Sequence, residues 1–514
     1  MLFGSLNKTS KKGRMFLGSP EAEAEANFNS KVKLTDVYED WHDLFGLLSH
    51  EKFIVLGRKG SGKSAFARYT QAKSASEPNL FVDFVRQDKI NLESLVQFGI
   101  KQGHAFEKES IFKWLIYTHL VRLFCENEAI KESKDFEQLR QFITKNAGFV
   151  DITDMDVTEL TENKGFEVNV EPLKRFYRQK IKKDFSIKSQ KAPFYKLIPH
   201  LEEVIKNVLT SYFEQKNKNS YVIFFDDLDV GFDVSDKGTV DSVVCLLRVA
   251  KSINNDLFGK NDINAKAIIL LRDDVEKYIA DKYPDTAKMM ASYSAPINWY
   301  QDDFQKGDNE SDLNIKKFID LRIKNAFKNA DLPCIGSNPW SSLVDINETY
   351  GLKSSFKYIL DHTLFRPRDI LLLFMPLETG DYSIPLRKKN VNDLLDKYSS
   401  QLVKEFRNEI SSFYSHKEVT QLFKVLDKIN SNFSCTYRDA VRYCKIDYKG
   451  DKDSGEILTD LFDRSIIGSK ASNVNFKFKY REPIDGSDIY KLNESDEIVM
   501  HYGFRLHFNK RKSR

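Results

Sequence analysis

Gly57-Arg58-Lys59-Gly60-Ser61-Gly62-Lys63-Ser64 is a complete G-x-x-x-x-G-K-[ST] loop. The apolar residues 53–56 precede it, and residues 65–69 can form a helical turn after it. Glycines allow a tight turn in which successive backbone N–H groups point towards an anion, and the following helix adds the positive end of its dipole. The strand–loop–helix context therefore predicts a phosphate-binding loop.

The residue types of the loop divide the contacts with a nucleoside triphosphate. Lys63 would reach the β- and γ-phosphates, and Ser64 would place its hydroxyl on Mg²⁺. The alternative, a glycine-rich surface turn, is disfavoured by the strand that precedes the loop. The residues predicted to contact the nucleotide are Gly57, Lys59, Gly60, Ser61, Gly62, Lys63, Ser64 and Ala65.

A second acidic motif supplies candidate residues for hydrolysis. Residues 221–225 are all apolar or aromatic and predict a buried parallel strand, which Asp226, Asp227 and Asp229 follow. Open α/β sheets bind ligands at the carboxyl ends of their strands. Asp226 then suits Mg²⁺, and Asp227 suits orienting or deprotonating the attacking water. An ordinary acidic turn is the alternative, and Asp229 would brace the loop, contact a neighbouring subunit or lie in solvent.

Three further strands complete the predicted sheet, at residues 80–85, 266–271 and 295–300. The order of the motifs places residues 266–271 between the phosphate-loop strand and the acidic strand. Arg272 ends that additional strand and would lie beside the γ-phosphate, where a cation stabilises phosphoryl transfer. A surface arginine paired with one of the two aspartates that follow it is the alternative.

Two arginines flank the start of another predicted helix. Pro367 and Asp369 are typical of a first helical turn, and Arg366 and Arg368 lie beside them. The helix dipole stabilises anions at this end of a helix and does not stabilise an arginine there. The pair therefore indicates an anionic partner, either a nucleotide phosphate or a carboxylate.

Length and composition bound the remaining possibilities. A chain of 514 residues with 41% hydrophobic and 30% charged content predicts about two to four water-exposed domains. No apolar run is long enough to span a membrane, and five scattered cysteines without a C-x-x-C pair indicate reduced thiols in the cytoplasm. The predicted plan has a flexible lead at 1–30, a phosphate-loop domain at 31–300 with a helical insertion at about 95–215, a helical lid at 301–412, a winged-helix-like domain at 413–508 and a basic tail at 509–514.

The winged-helix prediction rests on the order of elements near the C-terminus. Helical patterns at 417–430, 436–446 and 455–467 precede an alternating strand at 474–480 and a strand or turn at 498–502. Such modules bind duplex DNA or dock proteins. Lys477 and Lys479 on the predicted strand permit phosphate contacts, although a solvated strand would have the same pattern.

The third helix of this module argues against docking in the major groove. Glu456, Asp460 and Asp463 make it acidic, and phosphates would repel it.

Together these features resemble the soluble bacterial P-loop ATPases of the additional-strand class, related to AAA+, STAND and KAP NTPases, over residues 16–508. The resemblance implies an α/β fold: a parallel P-loop NTPase sheet covered by helices, with a helical lid and a winged-helix-like domain. It implies ATP and Mg²⁺ as ligands, Arg366 or Arg368 in the sensor-2 role and Arg272 at the sensor-1 position. Two departures are an arginine where sensor 1 is usually polar and uncharged, and Asp227 where glutamate is usual.

The same resemblance implies an ATPase switch that forms homo-oligomers and controls a separate effector protein in antiphage defence. KAP relatives often carry membrane helices within the ATPase domain, whereas this sequence has none, and a cytoplasmic location is expected. In relatives of this class a neighbouring subunit often completes the site with an arginine. The alternative is a DNA-binding ATPase of the initiator or loader type. A small-molecule kinase is disfavoured because nothing indicates an acceptor pocket. The candidate arginines for the γ-phosphate, in cis or in trans, are Arg272, Arg322, Arg366 and Arg368.

Overall fold

The computed structural model describes residues 14–86, 108–147, 167–226, 237–301, 310–351, 353–470, 476–482 and 490–512. The chain divides into two compact units. The sheet unit comprises Asp43–Arg58 and Phe66–Ile297. The helix-rich unit comprises Met1–His42, Lys59–Ala65 and Asn298–Arg514, and so includes most of the glycine-rich loop.

A five-stranded parallel sheet forms the centre of the sheet unit. Its strands are β1 (Ile54–Gly57), β2 (Leu80–Arg86), β5 (Ser220–Asp226), β6 (Ala265–Arg272) and β7 (Ser294–Pro296), in the spatial order β2-β5-β6-β1-β7. The predicted additional strand is confirmed, since β6 lies between β1 and β5. The fifth strand is shorter than predicted and ends at Pro296, which lacks an N–H donor and suits a sheet edge.

Helices cover this sheet. The helix Lys108–Glu126 contacts β2 and β5, and its apolar residues, among them Trp114 and Phe124, are buried. Residues 148–166 lie outside the described residues. The helices with residues in this unit are α3 (Leu44–Ser49), α4 (Lys63–Ser74, which begins in the loop), α5 (Lys108–Glu126), α6 (Glu128–Lys131), α7 (Glu137–Lys145), α8 (Glu171–Phe176), α9 (Ile198–Leu209), α10 (Tyr212–Asn217), α11 (Lys237–Ser252), α12 (Asp273–Lys282) and α13 (Pro284–Tyr293), with a two-stranded antiparallel pair β3 (Glu167–Asn169) and β4 (Lys191–Pro193).

The C-terminal part of the helix-rich unit contains a three-stranded antiparallel sheet together with the helices His416–Ile429, Tyr437–Asp447 and Ser454–Asp463, and a further helix follows the sheet. The strands are β8 (Cys435–Thr436), β9 (Ile467–Lys470) and β10 (Glu497–Met500), in the order β8-β10-β9. The helices of this unit are α1 (Ala22–Ala26), α2 (Leu34–Val37), α14 (Asn314–Asn329), α15 (Pro339–Leu343), α16 (Ser355–Leu360), α17 (Pro367–Phe374), α18 (Lys388–Ile410), α19 (His416–Ile429), α20 (Tyr437–Asp447), α21 (Ser454–Asp463) and α22 (Tyr502–Lys512).

The predicted flexible lead at residues 1–30 is wrong from Arg14 onwards. Met15 and Leu17 are buried, and the Met15 N–H donates to the Leu377 carbonyl at 3.1 Å. Glu25 of α1 is buried in an ion pair with Arg322. A glutamate-rich stretch can therefore pack closely because a distant arginine compensates its charge.

Two predictions at the C-terminal end also need correction. The basic tail at 509–514 is wrong as far as Lys512, because α22 runs to that residue with Phe504 and Phe508 buried. The strand predicted at 474–480 is wrong over its described part. Lys477 forms one isolated bridge with Ser469, and Lys479–Arg481 is a 3₁₀ turn. Both lysines are half-buried rather than exposed.

Within the part of the chain that the structure describes, no helix combines the length and apolar character that crossing a membrane requires.

Candidate nucleotide site

The glycine-rich loop has the backbone geometry that a phosphate cradle needs. Gly60 and Gly62 have φ angles of 79° and 102°, which residues with a side chain rarely adopt. A Cβ on Gly60 would lie 2.9 Å from Cβ of Arg368, whereas one on Gly62 would have no atom of the described residues within 4 Å. Helix α4 begins at the next residue, Lys63.

Three hydrogen bonds within the helix-rich unit fix the backbone of the loop. The Trp299 indole N–H donates to the Ser61 carbonyl at 2.8 Å, and the Arg366 guanidinium donates to the Lys59 carbonyl at 3.0 Å. The Arg368 backbone N–H donates to the Gly60 carbonyl at 3.4 Å. All three bonds use carbonyl oxygens of the loop, so none of them occupies its N–H groups.

One polar atom of the loop lacks a partner. Ser61 is 2% exposed, and its Oγ has no hydrogen-bond partner among the described residues. A buried polar group without a partner costs about 1–3 kcal/mol. A phosphate oxygen or a water molecule would satisfy this hydroxyl, so the residues of the loop fit a bound phosphate.

Arg366 is held at the start of α17 by a buried carboxylate. Its Nε and Nη2 donate to Asp369 Oδ2 and Oδ1 at 3.0 and 2.7 Å, and Asp369 is fully buried. Burial by itself would lower the pKa of Arg366, but the Asp369 carboxylate overcomes this and raises the pKa above its ordinary value. The guanidinium therefore stays charged while it also contacts the loop.

The two other candidate arginines of this unit also pair with carboxylates. Arg368 Nη2 lies 2.8 Å from Glu21 Oε1, and Arg322 forms two bonds to Glu25, of 2.6 and 2.8 Å. The sequence allows either a nucleotide phosphate or a carboxylate as the anionic partner of Arg366 and Arg368. In this structure both arginines are bound to carboxylates. Contacts of these arginines with a γ-phosphate stay predictions.

The carboxyl edge of the parallel sheet carries the remaining candidates within the sheet unit. Gly57, Asp226 and Arg272 end β1, β5 and β6, and Gly57 is in register with Arg272. Asp226 is 4% exposed. Arg272 Nε donates to Asp274 Oδ1 at 2.9 Å, which is the pairing that the sequence left open, but the arginine is 6% exposed and is not a surface residue. Asp227 and Asp229 lie outside the described residues.

The donor set suits a metal ion that keeps part of its water shell. Among the described residues, no group of three or more His, Cys, Asp or Glu side chains could hold an ion. Mg²⁺ is usually held by one or two carboxylates together with phosphates and waters. Ser64 and Asp226 fit that requirement by residue type.

Sequence reasoning missed the groups that position the loop. The sequence predicts for Trp299 only that it lies in a strand, and no sequence pattern predicts that its indole donates a hydrogen bond to Ser61. Glu21 and Glu25 lie in a stretch whose composition indicates flexibility. Asp369 was recognised as a helix-start residue, and its spacing from Arg366 is the one signal that could have predicted their pairing.

Comparison with known proteins finds two solved structures of low similarity. No protein-family model matches the chain, and no curated protein matches it. Two solved structures of the ORC2 protein of Aeropyrum pernix are similar to it. The ADPNP–ADP complexes share 12% identity over 96% of this chain and 94% of theirs, with a TM-score of 0.36. The ADP form shares 11% identity over 91% and 92%, with a TM-score of 0.29. At these identities and TM-scores the likeness carries no argument about fold or function.

Proposed function

We propose that the chain binds ATP with Mg²⁺ at residues 57–64 and hydrolyses it. The observation that carries this proposal is the geometry of the loop. Gly60 and Gly62 have positive φ angles, α4 begins at Lys63, and the buried Ser61 hydroxyl has no partner among the residues that the structure describes. Backbone N–H groups at a helix start, together with a lysine, are the usual means of holding a triphosphate.

The roles within the site follow from residue chemistry. Lys63 contacts the β- and γ-phosphates, while Ser64 and Asp226 hold Mg²⁺, the carboxylate acting directly or through water. Asp227 follows Asp226 and accepts the proton of the attacking water. The position of Asp226 at the carboxyl end of β5 supports this division, since ligands of parallel sheets bind at that edge.

A switch function is supported by the contacts of the loop with the helices of its own unit. Arg366 joins the Lys59 carbonyl to Asp369 of α17, and it also lies 3.9 Å from Glu405 of α18. A shift of the loop on loss of the γ-phosphate would change these bonds. The nucleotide state would then be transmitted to α17 and α18.

The test compares two lysines of the same helix. Lys63→Ala should abolish measurable phosphate release, whereas Lys73→Ala should leave it within about twofold, because an exposed ion pair such as Lys73–Glu77 contributes little. Asp227→Asn should bind a non-hydrolysable ATP analogue in calorimetry and yet fail to turn over ATP. Wild-type turnover by Lys63→Ala would overturn the assignment.

The biological role rests on the resemblance of the motifs to ATPases of antiphage defence. On that basis the ATPase forms a homo-oligomer and controls a separate effector. A second candidate is a DNA-binding ATPase of the initiator or loader type. It is favoured by the C-terminal module, in which α19, α20 and α21 accompany an antiparallel sheet in the order expected for a winged helix.

A further inference from the structure

Helix α20 carries a row of exposed cations on one face. Arg438, Arg442 and Lys445 are spaced by four and three residues, which places them within roughly 60° around the helix axis. All three are exposed, and Lys449 is exposed just beyond the helix end. The Lys449 ammonium donates to the Lys445 carbonyl at 2.9 Å, so it extends the same row. These four residues are called the α20 basic face.

The acidic residues of α20 leave this charge largely uncompensated. Asp447 is 15% exposed and pairs with Lys428 of α19 at 2.6 Å. Asp439 accepts from the Thr436 hydroxyl at 2.7 Å in the cap of the helix and lies 3.3 Å from Arg442. The ion pairs of the described residues give no carboxylate partner to the other three cations of the basic face.

The next helix, α21, is acidic, and two of its acidic residues form hydrogen bonds within the C-terminal module. Glu456 of α21 forms a capping box with Asp453, with bonds of 2.9 and 3.1 Å. Asp460 accepts from the Tyr414 hydroxyl at 2.6 Å and from Arg464 Nε at 3.0 Å. A polyanion is therefore repelled by α21 and attracted by α20.

We propose that the α20 basic face binds the sugar–phosphate backbone of a nucleic-acid duplex. The row from Arg438 to Lys445 spans about 10 Å, long enough to contact several successive phosphates. Arginine binds phosphate through the planar fork of N–H donors of its guanidinium group, and lysine binds it through the compact charge of its ammonium group. Contacts of this kind fix the position of a protein on the duplex without reading its sequence. The proposal goes beyond the proposed ATPase and does not depend on it, and it would supply the nucleic-acid contacts of the second candidate function.

The test is the salt dependence of binding by the full-length chain to a fluorescent duplex of mixed sequence, as DNA and as RNA. Four phosphate contacts predict a slope of log affinity against log salt of about −3.6. The triple variant Arg438→Gln, Arg442→Gln and Lys445→Gln should have a slope near −1 and bind at least tenfold more weakly at about 50 mM salt.

The matched control removes the same charge elsewhere. Lys188, Lys191 and Lys196 are exposed residues of the sheet unit, and changing all three to glutamine should leave both slope and affinity unchanged. The thermal midpoint of each variant establishes that it is folded. Equal losses in both triple variants would reduce the effect to net charge and overturn the proposal. Failure of the wild-type chain to bind either duplex, or undiminished binding by the α20 variant, would overturn it as well.

Discussion

Two ion pairs of the N-terminal segment differ in burial and therefore in energy. Glu25 and Arg322 have side chains that are 1% and 4% exposed, whereas Glu21 is 64% exposed beside Arg368. Breaking a buried pair leaves one charge without compensation in a region that excludes water. An exposed pair is screened by solvent and contributes little.

We therefore predict that Glu25→Gln destabilises the helix-rich unit by about 3–5 kcal/mol and that Glu21→Gln costs less than about 1 kcal/mol. Urea unfolding followed by tryptophan fluorescence measures both, and Trp41, Trp299 and Trp340 report on this unit. Similar shifts for the two variants would show that the segment from Arg14 is not packed as described.

At the scale of single elements, the central strands could be predicted and the packing of the termini could not. The runs that became β5 and β6 are almost wholly apolar, and their order relative to the glycine-rich loop fixes where they lie in the sheet. The segment around α1 depends on contacts with residues about three hundred positions away, such as Arg322. No local pattern carries that information.

The strand predicted at 474–480 shows a second limit. Phe478 and Tyr480 are both buried and alternate with lysines, which is the pattern of a strand. Their rings stack on each other with centroids 5.8 Å apart, and the backbone turns at Lys479–Arg481. Alternation reports which side chains are buried, and a turn can satisfy it as well as a strand.

The acidic first turn of α12 makes the stability of the sheet unit depend on pH. Burial, together with the neighbouring carboxylates of Asp273 and Asp281, raises the pKa of Glu276 from 4.5 to about 7. The folded state therefore holds this proton more tightly than the unfolded state. Its contribution to stability is complete below pH 4.5 and is lost as the pH rises through about 7.

We predict that Glu276→Gln raises the thermal midpoint at pH 8 and leaves it nearly unchanged at pH 4.5. Because the side chain is half-buried, solvent screening limits the gain to about 1 kcal/mol. Glu132→Gln, at an exposed glutamate of the same unit, is the control and should show no such dependence. A gain that is equal at both pH values would contradict the proposed ionisation.

At the scale of the whole molecule, the glycine-rich loop is assigned to the helix-rich unit, and this assignment bears on the proposed switch function. Lys59–Ala65 belongs by its contacts to the helix-rich unit, although the strand that precedes it belongs to the sheet unit. Trp299, Arg366 and Arg368 supply those contacts. The motif alone predicted the loop, but the distant residues that hold it followed from no spacing in the sequence.

If a neighbouring subunit completes the nucleotide site with an arginine, the site is shared between two subunits, and activity depends on assembly. Among the four candidate arginines, Arg272, Arg322 and Arg366 have side chains at most 7% exposed, while Arg368 is 15% exposed and pairs with an exposed glutamate. Arg368 is thus the candidate that can most easily exchange its partner for a phosphate of a neighbouring subunit. An arginine supplied in this way contributes about 10³–10⁵ in rate.

Specific activity should then rise with protein concentration, and Lys63→Ala and Arg368→Ala should each be inactive alone. Mixing the two variants should restore hydrolysis, because a mixed pair contains one site with both an intact Lys63 and an intact Arg368 from the other subunit. If Arg368 acts within its own chain, every site in the mixture lacks one of the two residues and no activity returns. Analytical ultracentrifugation with and without ATP identifies the assembly that forms. A strict monomer whose activity is independent of concentration would exclude the shared site and leave Arg368 as a residue that acts in cis.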